Sequence, residues 1–245
     1  MEIITSKENK KIKSARQLLT RKGRKQSGNY LIEGFHLLEE ALKAKAELVE
    51  IFVSTDKIEK VPADLSFIAV SADVLRSLAS SDTPQGIVAI VKKMEADDFE
   101  MGKVLILEDV QDPGNVGTMI RTADAAGFDA VFTTNASADI YSPKVMRAMQ
   151  GSHFHLAVVD GVTFENLVGF VRDAGLELLV STLSKNSINY KAVKMDRFAL
   201  VMGNEGNGVS DFAVKNADQL VHIEMPGQAE SLNVAVAAGI LMFAL

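Results

Sequence analysis

The stretch that decides the fold is FALVMGNEGNGVS, residues 198–210. Its apolar first part, Phe198 to Met202, predicts a buried strand. Three glycines follow within six residues, and glycine lets a backbone approach another group with no Cβ in the way. Open α/β sheets bind ligands at the carboxyl ends of their strands. The stretch is therefore either a binding loop or, on the glycines alone, a tight connection.

A second stretch, IEMPGQAESLNV at residues 223–234, has the same organisation. A predicted strand from Leu220 to Met225 leads into Pro226-Gly227 and a polar cluster, and a helix of small residues follows. Ser231 is the predicted N-cap, with the helix starting at Leu232-Asn233. If the two strands are neighbours, the two polar loops lie side by side and form one site.

A third stretch, LEDVQDPGNVGTMIRTADAAG at residues 107–127, follows another apolar strand. Pro113 and Gly114 predict a sharp turn into a helix, and that helix carries Arg121 two turns in, facing back over the loop. The three stretches, in this order across residues 103–245, resemble the signature motifs of the SpoU/TrmH branch of the SPOUT RNA methyltransferases.

The resemblance implies an α/β fold in two parts. Residues 103–245 are expected to form a SPOUT domain with a parallel sheet and a deep trefoil knot, and residues 1–92 a smaller N-terminal α/β RNA substrate-binding domain. Residues 93–102 are polar and acidic and are the expected linker. The alternation of strands and helices in the second half independently predicts a mostly parallel sheet with helices on both faces.

The resemblance also implies a reaction and its residues. Family members transfer a methyl group from S-adenosylmethionine to a ribose 2′-hydroxyl in RNA, and act as homodimers with each active site completed across the interface. The implied catalytic residues are Asn115, Arg121, Glu205, Ser231 and Asn233. The implied cofactor-binding residues, acting largely through backbone groups, are Gly203, Ile223, Met225, Gly227 and Leu232. One departure is Glu224, where many relatives carry proline.

Arg121 has a role that follows from its chemistry. An arginine side chain stays protonated in proteins, which makes it a poor general base. We therefore hypothesise that Arg121 stabilises the forming alkoxide and orients the adjacent phosphate.

Charge is unevenly distributed along the chain. The net charge is −6, yet residues 1–30 hold nine basic and two acidic side chains, a net +7, so the other 215 residues carry −13. Such asymmetry predicts a basic arm that meets phosphate. The alternative is a solvated helix face.

Composition excludes several classes of protein. With no cysteine, the chain has no disulfides and no thiolate zinc site, and a cytoplasmic location is expected. Four scattered histidines predict no metal site. No apolar run reaches the ~20 residues of a membrane span, and the amino terminus lacks a signal-peptide core. The glycines at 203–208 precede no Walker lysine, and no G-x-G-x-x-G follows a strand.

The leading hypothesis is an RNA ribose 2′-O-methyltransferase acting on ribosomal RNA, in view of the extra N-terminal domain. A transfer RNA substrate stays open. The runner-up, from a different class of protein, is a non-catalytic RNA-binding or assembly protein on the same fold.

Overall fold

The computed structural model describes residues 2–94 and 101–245. The chain divides into two compact units: unit 1 is residues 1–95 with 141–146, and unit 2 is residues 96–140 with 147–245. The middle of the expected linker, residues 95–100, lies outside the described residues.

Unit 1 alternates short strands and helices. In chain order its elements are β1 (Ile3–Ile4), α1 (Lys10–Gln17), α2 (Arg21–Ser27), β2 (Asn29–Glu33), α3 (Phe35–Lys43), β3 (Leu48–Ser54), a 3₁₀ helix (Thr55–Lys60), β4 (Ile68–Val70), α4 (Ala72–Arg76) and β5 (Ile87–Lys92). The described strands form one mixed sheet in the order β1-β4-β3-β5-β2, with β5 antiparallel to both β2 and β3.

Helix α1 packs its apolar stripe onto this sheet. Ile12, Ala15 and Leu18 are buried in one core cluster with Phe52 and Val88 of the sheet, which leaves the basic side chains of α1 on the outside. Apolar burial on this face holds the helix, since each fully buried Leu or Ile contributes about 1.5–3 kcal/mol.

One residue counted in the basic arm does not belong to its surface. Arg24 is 4% exposed, and its Nη1 donates a hydrogen bond of 2.6 Å to the carbonyl oxygen of Leu18. Its guanidinium is therefore used inside unit 1, to satisfy the end of α1, and the arm has one cation fewer than the sequence indicates.

The second half of the chain carries a regular alternation. Its elements are β6 (Lys103–Leu107), α5 (Pro113–Ala125), β7 (Ala130–Thr134), α6 (Pro143–Met149), a 3₁₀ helix (Ser152–Phe154), β8 (Ala157–Val162), α7 (Phe164–Asp173), β9 (Glu177–Ser181), β10 (Ile188–Asn189), a 3₁₀ helix (Tyr190–Ala192), β11 (Phe198–Met202), α8 (Asp211–Asn216), β12 (Gln219–His222) and α9 (Val234–Ala244).

The described strands of unit 2 form one sheet in the order β10-β12-β9-β11-β6-β7-β8. Every neighbouring pair is parallel, which confirms the predicted parallel sheet. The central strand β11 is buried along its whole length, as expected for a strand covered on both faces. The trefoil knot stays a prediction of the resemblance.

Two local predictions near the site were wrong. The strand expected to reach Met225 ends at His222, and the following residues leave the sheet. The helix expected to be capped by Ser231 begins at Val234, and its N-cap is Asn233, whose Oδ1 accepts hydrogen bonds from the N–H groups of Ala235 and Val236 at 2.9 and 3.3 Å. Serine and asparagine are comparable caps, so the sequence alone does not separate them.

Within the described ranges no helix combines the length and apolar character needed to cross a bilayer. The same ranges hold no group of three or more histidine, aspartate and glutamate side chains arranged around a common metal position.

Candidate active site

A cleft of about 450 Å³ opens at the carboxyl ends of three strands of unit 2. This is within the ~300–1,000 Å³ range typical of small-molecule sites. Its walls come from the segments that follow β9, β11 and β12 and from the start of α9. The lining residues are Ser181, Thr182, Leu183, Ser184, Met202, Gly203, Asn204, Glu205, Gly206, Asn207, Gly208, Val209, His222, Ile223, Met225, Ser231, Leu232, Val234 and Ala237.

The order of the strands at this cleft differs from the predicted order. The strands that precede the two glycine-containing loops, β11 and β12, are not neighbours, because β9 lies between them. The two loops nevertheless reach the same cleft, and the segment after β9, residues 181–184, lies on it with them. Sequence reasoning missed this segment. Its signal is the set of polar residues Ser181, Thr182 and Ser184 at the end of an apolar strand.

Gly203 is required by the loop itself. A Cβ on this residue would lie 2.4 Å from the carbonyl carbon of Gly208 and from the backbone nitrogen of Val209. The loop folds back there, and Asn204 and Gly208 exchange backbone hydrogen bonds of 2.9 Å in both directions. Backbone atoms cannot move aside as a side chain can, so the close crossing demands glycine.

Four of the five expected cofactor residues line the cleft, namely Gly203, Ile223, Met225 and Leu232. Gly227 does not line it, and a Cβ placed there meets nothing within 4 Å. Of the five expected catalytic residues, Glu205 and Ser231 line the cleft. The other three lie outside its lining, and two of them are bonded to Glu205 directly or in series.

The carboxylate of Glu205 joins the second motif to the first. Its Oε1 accepts from the backbone N–H of Asp112 at 3.0 Å and from Nδ2 of Asn115 at 3.1 Å, and its Oε2 accepts from the N–H of Gln111 at 3.1 Å. Burial by itself raises the pKa of Glu205, but these hydrogen bonds outweigh it and hold the pKa below its ordinary value. The group is therefore a carboxylate at neutral pH.

Asn115 continues the connection to the third motif. Its Oδ1 accepts a 3.1 Å hydrogen bond from Nδ2 of Asn233. Asn115 stands in the first turn of α5, which Asp112 caps by accepting from the Asn115 N–H at 2.9 Å. The three predicted motifs therefore meet at one set of hydrogen bonds.

Arg121 lies apart from that set. It is exposed, and its guanidinium forms no hydrogen bond or ion pair with any residue that the structure describes. Six residues along an α-helix place it about 120° around the axis from Asn115. That Arg121 faces back over the loop stays a prediction.

Further contacts fix the loop after β6 against the loop after β11. Glu108 is 6% exposed, and its carboxylate accepts from the Ser210 N–H at 3.0 Å and from the Ser210 hydroxyl at 2.6 Å. Asp109 adopts a positive φ of 55°, and its carbonyl accepts from Nδ2 of Asn204 at 2.8 Å. Aspartate tolerates this left-handed conformation better than most residues.

The histidines divide by position. His222 lines the cleft, with its Nδ1 2.9 Å from the Ser187 hydroxyl oxygen. The same hydroxyl donates a hydrogen bond to the carbonyl oxygen of Ser184. His153 is buried, and desolvation, assisted by nearby His155, lowers its pKa to about 3.

Comparison with known proteins relates the chain to a family of RNA methylases. The sequence model described as "SpoU rRNA Methylase family" matches residues 102–243, and the one described as "MRM3-like substrate binding domain" matches residues 9–89. Over 252 residues the chain is 40% identical to the 23S rRNA (guanosine(2553)-2′-O)-methyltransferase RlmP of Bacillus subtilis, covering 100% of this chain and 99% of that protein.

Solved structures give the same result. An AdoMet-bound rRNA methyltransferase from Sinorhizobium meliloti superposes with a TM-score of 0.89 at 29% identity, covering 99% of this chain and 96% of that one. A crystal structure described as an RNA 2′-O ribose methyltransferase superposes with a TM-score of 0.81 at 31% identity, covering 99% and 97%.

Proposed function

Because the chain belongs to the SpoU rRNA methylase family, we propose that it is an S-adenosylmethionine-dependent enzyme that methylates a ribose 2′-hydroxyl in ribosomal RNA. The observation that carries this function is the cleft at the carboxyl ends of β9, β11 and β12, lined by two of the three motifs. The full-length similarity to a 23S rRNA 2′-O-methyltransferase supports ribosomal RNA over transfer RNA.

The residues of the cleft fit this cofactor. Apolar side chains that suit an adenine ring come from Met202, Val209, Ile223, Met225 and Leu232. Polar groups that suit ribose hydroxyls and an amino-acid tail come from Ser181, Thr182 and Ser231. At Gly203 the absent Cβ leaves room for the backbone of Gly208 and Val209, and these residues form part of the cleft lining.

The chain's residues contribute alignment and electrostatics. When bound, the cofactor supplies a methyl group already activated on a sulfonium. The protein has to hold the ribose oxygen in line, and such alignment contributes about 7–11 kcal/mol. Ser231 lies at the cleft and offers the oxygen a hydrogen bond. Arg121, which stays charged, stabilises the negative charge on the oxygen as its proton leaves, and holds the neighbouring phosphate.

In the proposed homodimer, Arg121 acts at the cleft of the partner protomer. Helix α9 packs on α5 beside Arg121, where Cγ2 of Thr122 faces Gly239. On α9, Val236 and Phe243 are 53% and 67% exposed. Exposed apolar residues grouped on one helix are typical of an interface. In this proposal α9 pairs with its copy, and Arg121 of each protomer completes the cleft of the other.

The dimer has a direct test. Phe243→Asp places a charge on the proposed interface, and sedimentation should show that this variant is a monomer. The monomer should bind the cofactor less tightly and should have lost methylation activity. Phe212→Asp, at another exposed phenylalanine (41%) on α8, is the matched control and should stay dimeric. A wild-type protein that sediments as a monomer would rule out this arrangement.

Unit 1 offers a surface for RNA. Lys7, Lys10, Arg21, Lys22 and Lys25 are exposed and form no ion pair with any described residue. Lys11 and Lys13 are instead paired with Glu50 and Glu8. Unpaired cations grouped along α1 and α2 fit a phosphate backbone, which agrees with the match of residues 9–89 to a substrate-binding domain.

The domain division belongs to the same proposal. Residues 1–92 bind the RNA substrate and residues 103–245 bind the cofactor and carry the reaction, as the two matched regions suggest. We propose the cytoplasm as the location, as expected for a cysteine-free protein acting on ribosomal RNA.

Two experiments test the function. Calorimetry should detect binding of S-adenosylmethionine, and the absence of a heat of binding would favour a non-catalytic RNA-binding protein. Transfer of a labelled methyl group should then be compared on ribosomal and transfer RNA, followed by mapping of the modified ribose. Labelling confined to transfer RNA would overturn the proposed substrate, and resistance of the new linkage to alkaline cleavage identifies the 2′-oxygen.

A further inference from the structure

We propose that Glu205, Asn115 and Asn233 are positioning residues, which form one chain of hydrogen bonds with a fixed direction that holds the cofactor cleft in shape. The inference rests on the proposed function, because the cleft is the proposed cofactor site. It replaces the catalytic role that the motif resemblance implies for these three side chains.

The chain has four steps between two backbone ends. The N–H groups of Ala235 and Val236, at the start of α9, donate to Oδ1 of Asn233. Nδ2 of Asn233 donates to Oδ1 of Asn115 at 3.1 Å, and Nδ2 of Asn115 donates to Oε1 of Glu205 at 3.1 Å.

At the other end the donors are again backbone N–H groups. Gln111 and Asp112 donate to the two oxygens of Glu205 at 3.1 and 3.0 Å. Backbone N–H groups only donate, so both ends of the chain demand an acceptor. Each asparagine amide passes one donor and one acceptor along. A chain with donors at both ends closes only if one member accepts on both sides, and Glu205, as a carboxylate, is that member.

The direction of the chain matters because of what it joins. Glu205 lies in the loop after β11, Asn115 in the first turn of α5, and Asn233 at the start of α9. The loop after β11 and the segment before α9 both contribute to the cleft lining, through Gly203 and Leu232 among others. The chain of hydrogen bonds therefore connects two parts of the cleft lining to the first turn of α5.

The polar atoms of these three side chains already form hydrogen bonds to other protein groups. Both Glu205 oxygens accept, and the oxygen and nitrogen of each asparagine are bonded to protein. Unlike Ser231, neither asparagine lines the cleft. This arrangement suits groups that set geometry rather than groups that meet the reacting atoms.

Two single substitutions break the direction at different points. Asn233→Asp keeps a good helix cap, with a charge that suits the helix end, but has no proton to donate to Asn115. Whichever way the Asn115 amide turns, its oxygen then faces a carboxylate. Glu205→Gln leaves the Asn115 contact possible but sets an amide NH₂ against a backbone N–H of residues 111–112.

The two substitutions together allow the direction to reverse. Asn115 turns over, donates to the carboxylate introduced at position 233, and accepts from the amide introduced at position 205. The amide oxygen at 205 still accepts from the Gln111 N–H. The contact left over is the N–H of Asp112, an exposed residue, where water can accept the hydrogen bond.

The experiment is a double-mutant cycle on the full chain, read by cofactor affinity in calorimetry, by thermal unfolding, and by the kcat and KM of RNA methylation. Each single substitution should weaken S-adenosylmethionine binding by about tenfold, the scale of one misplaced hydrogen bond to a charged group. Glu205→Gln should strengthen binding when added to Asn233→Asp, although it weakens binding in the wild-type chain.

Asn166→Asp is the matched control, because Asn166 is exposed on α7 and outside the chain of contacts. Adding Glu205→Gln to Asn166→Asp should only reproduce the loss seen in the wild type. An additive cycle with Asn233→Asp, in affinity and in unfolding temperature, would overturn the directional chain.

The kinetics separate positioning from catalysis. If the three residues position the cleft, kcat should recover in the double variant in step with cofactor affinity. Recovery of affinity with kcat still lost would show that they act on the reacting atoms. A wild-type chain that binds no S-adenosylmethionine would refute the proposed function alone, since the unfolding cycle still tests the chain of hydrogen bonds.

Discussion

Removal of three cations from α2 should lower RNA affinity in a way that depends on salt. Arg21, Lys22 and Lys25 are exposed and unpaired with any described residue. Replacing all three with glutamine keeps helix propensity nearly unchanged, so α2 should stay folded. Arg24 is left unchanged, because its guanidinium is buried and donates a hydrogen bond to the carbonyl oxygen of Leu18.

The magnitude follows from counterion release. Each phosphate contact contributes about 0.7 to the salt slope for single-stranded and 0.9 for duplex nucleic acid. Three lost contacts should therefore reduce the slope of log K against log salt by about 2–3. Raising the salt from 50 to 200 mM should therefore weaken RNA binding by the wild-type protein about 20- to 40-fold more than it weakens binding by the variant.

Filter binding of a ribosomal RNA fragment over a salt series measures this slope. The matched control replaces Lys43, Lys57 and Lys92 with glutamine, which removes the same charge from unit 1 at lysines that are paired with acidic residues. An equal change of slope in both variants would show that only net charge matters. An unchanged slope in the α2 variant would refute α2 as a place where phosphate binds.

Three further predictions concern unit 2. Arg121→Lys should reduce kcat by about 100-fold or more while cofactor affinity stays within about threefold, as for a lost transition-state donor; near-normal turnover in a methylation assay would contradict that role. Gly203→Ala should destabilise the loop by at least about 1–3 kcal/mol and abolish cofactor binding in calorimetry, because the added Cβ would lie 2.4 Å from backbone atoms. The control variant Gly227→Ala should bind the cofactor normally. The pKa of His153 is about 3 in the folded chain and 6.5 in the unfolded chain, so between these pH values only the unfolded chain takes up the proton. The free energy of unfolding should therefore fall as the pH drops from about 6.5 towards 3, by up to about 1.4 kcal/mol per pH unit. Denaturant titrations of the wild type and of His153→Phe should show that this part of the slope is absent from the variant, and equal slopes would argue against it.

Much of the site was readable along the sequence because its signals are local. The turn at Pro113 and Gly114 opens α5 as expected, and the apolar run 198–202 is the buried strand β11. Glycine, proline and cap residues act within a few positions of themselves. Such features identify loops and their chemistry without knowledge of what lies beside them.

Where those loops meet was not readable in the same way. The order of strands in a sheet is set by pairing over long sequence separations, which leaves no local mark. The sequence therefore suggested that β11 and β12 are neighbours, whereas β9 separates them and brings residues 181–184 to the cleft. Arg24 was counted among the surface cations for the same reason, because its burial depends on the packing of α1 and α2.

By itself the sequence determined which kinds of residue occupy the ends of the strands, since helix and strand periods, caps and turns are properties of neighbouring residues. Only the tertiary structure decided that Glu205, Asn115 and Asn233 join in one hydrogen-bonded chain while Arg121 stands apart from it. The physical reason is that a hydrogen bond needs two groups within about 3 Å. Partners such as Asn115 and Asn233, 118 residues apart in the chain, reach that distance only when the whole sheet and its helices have assembled.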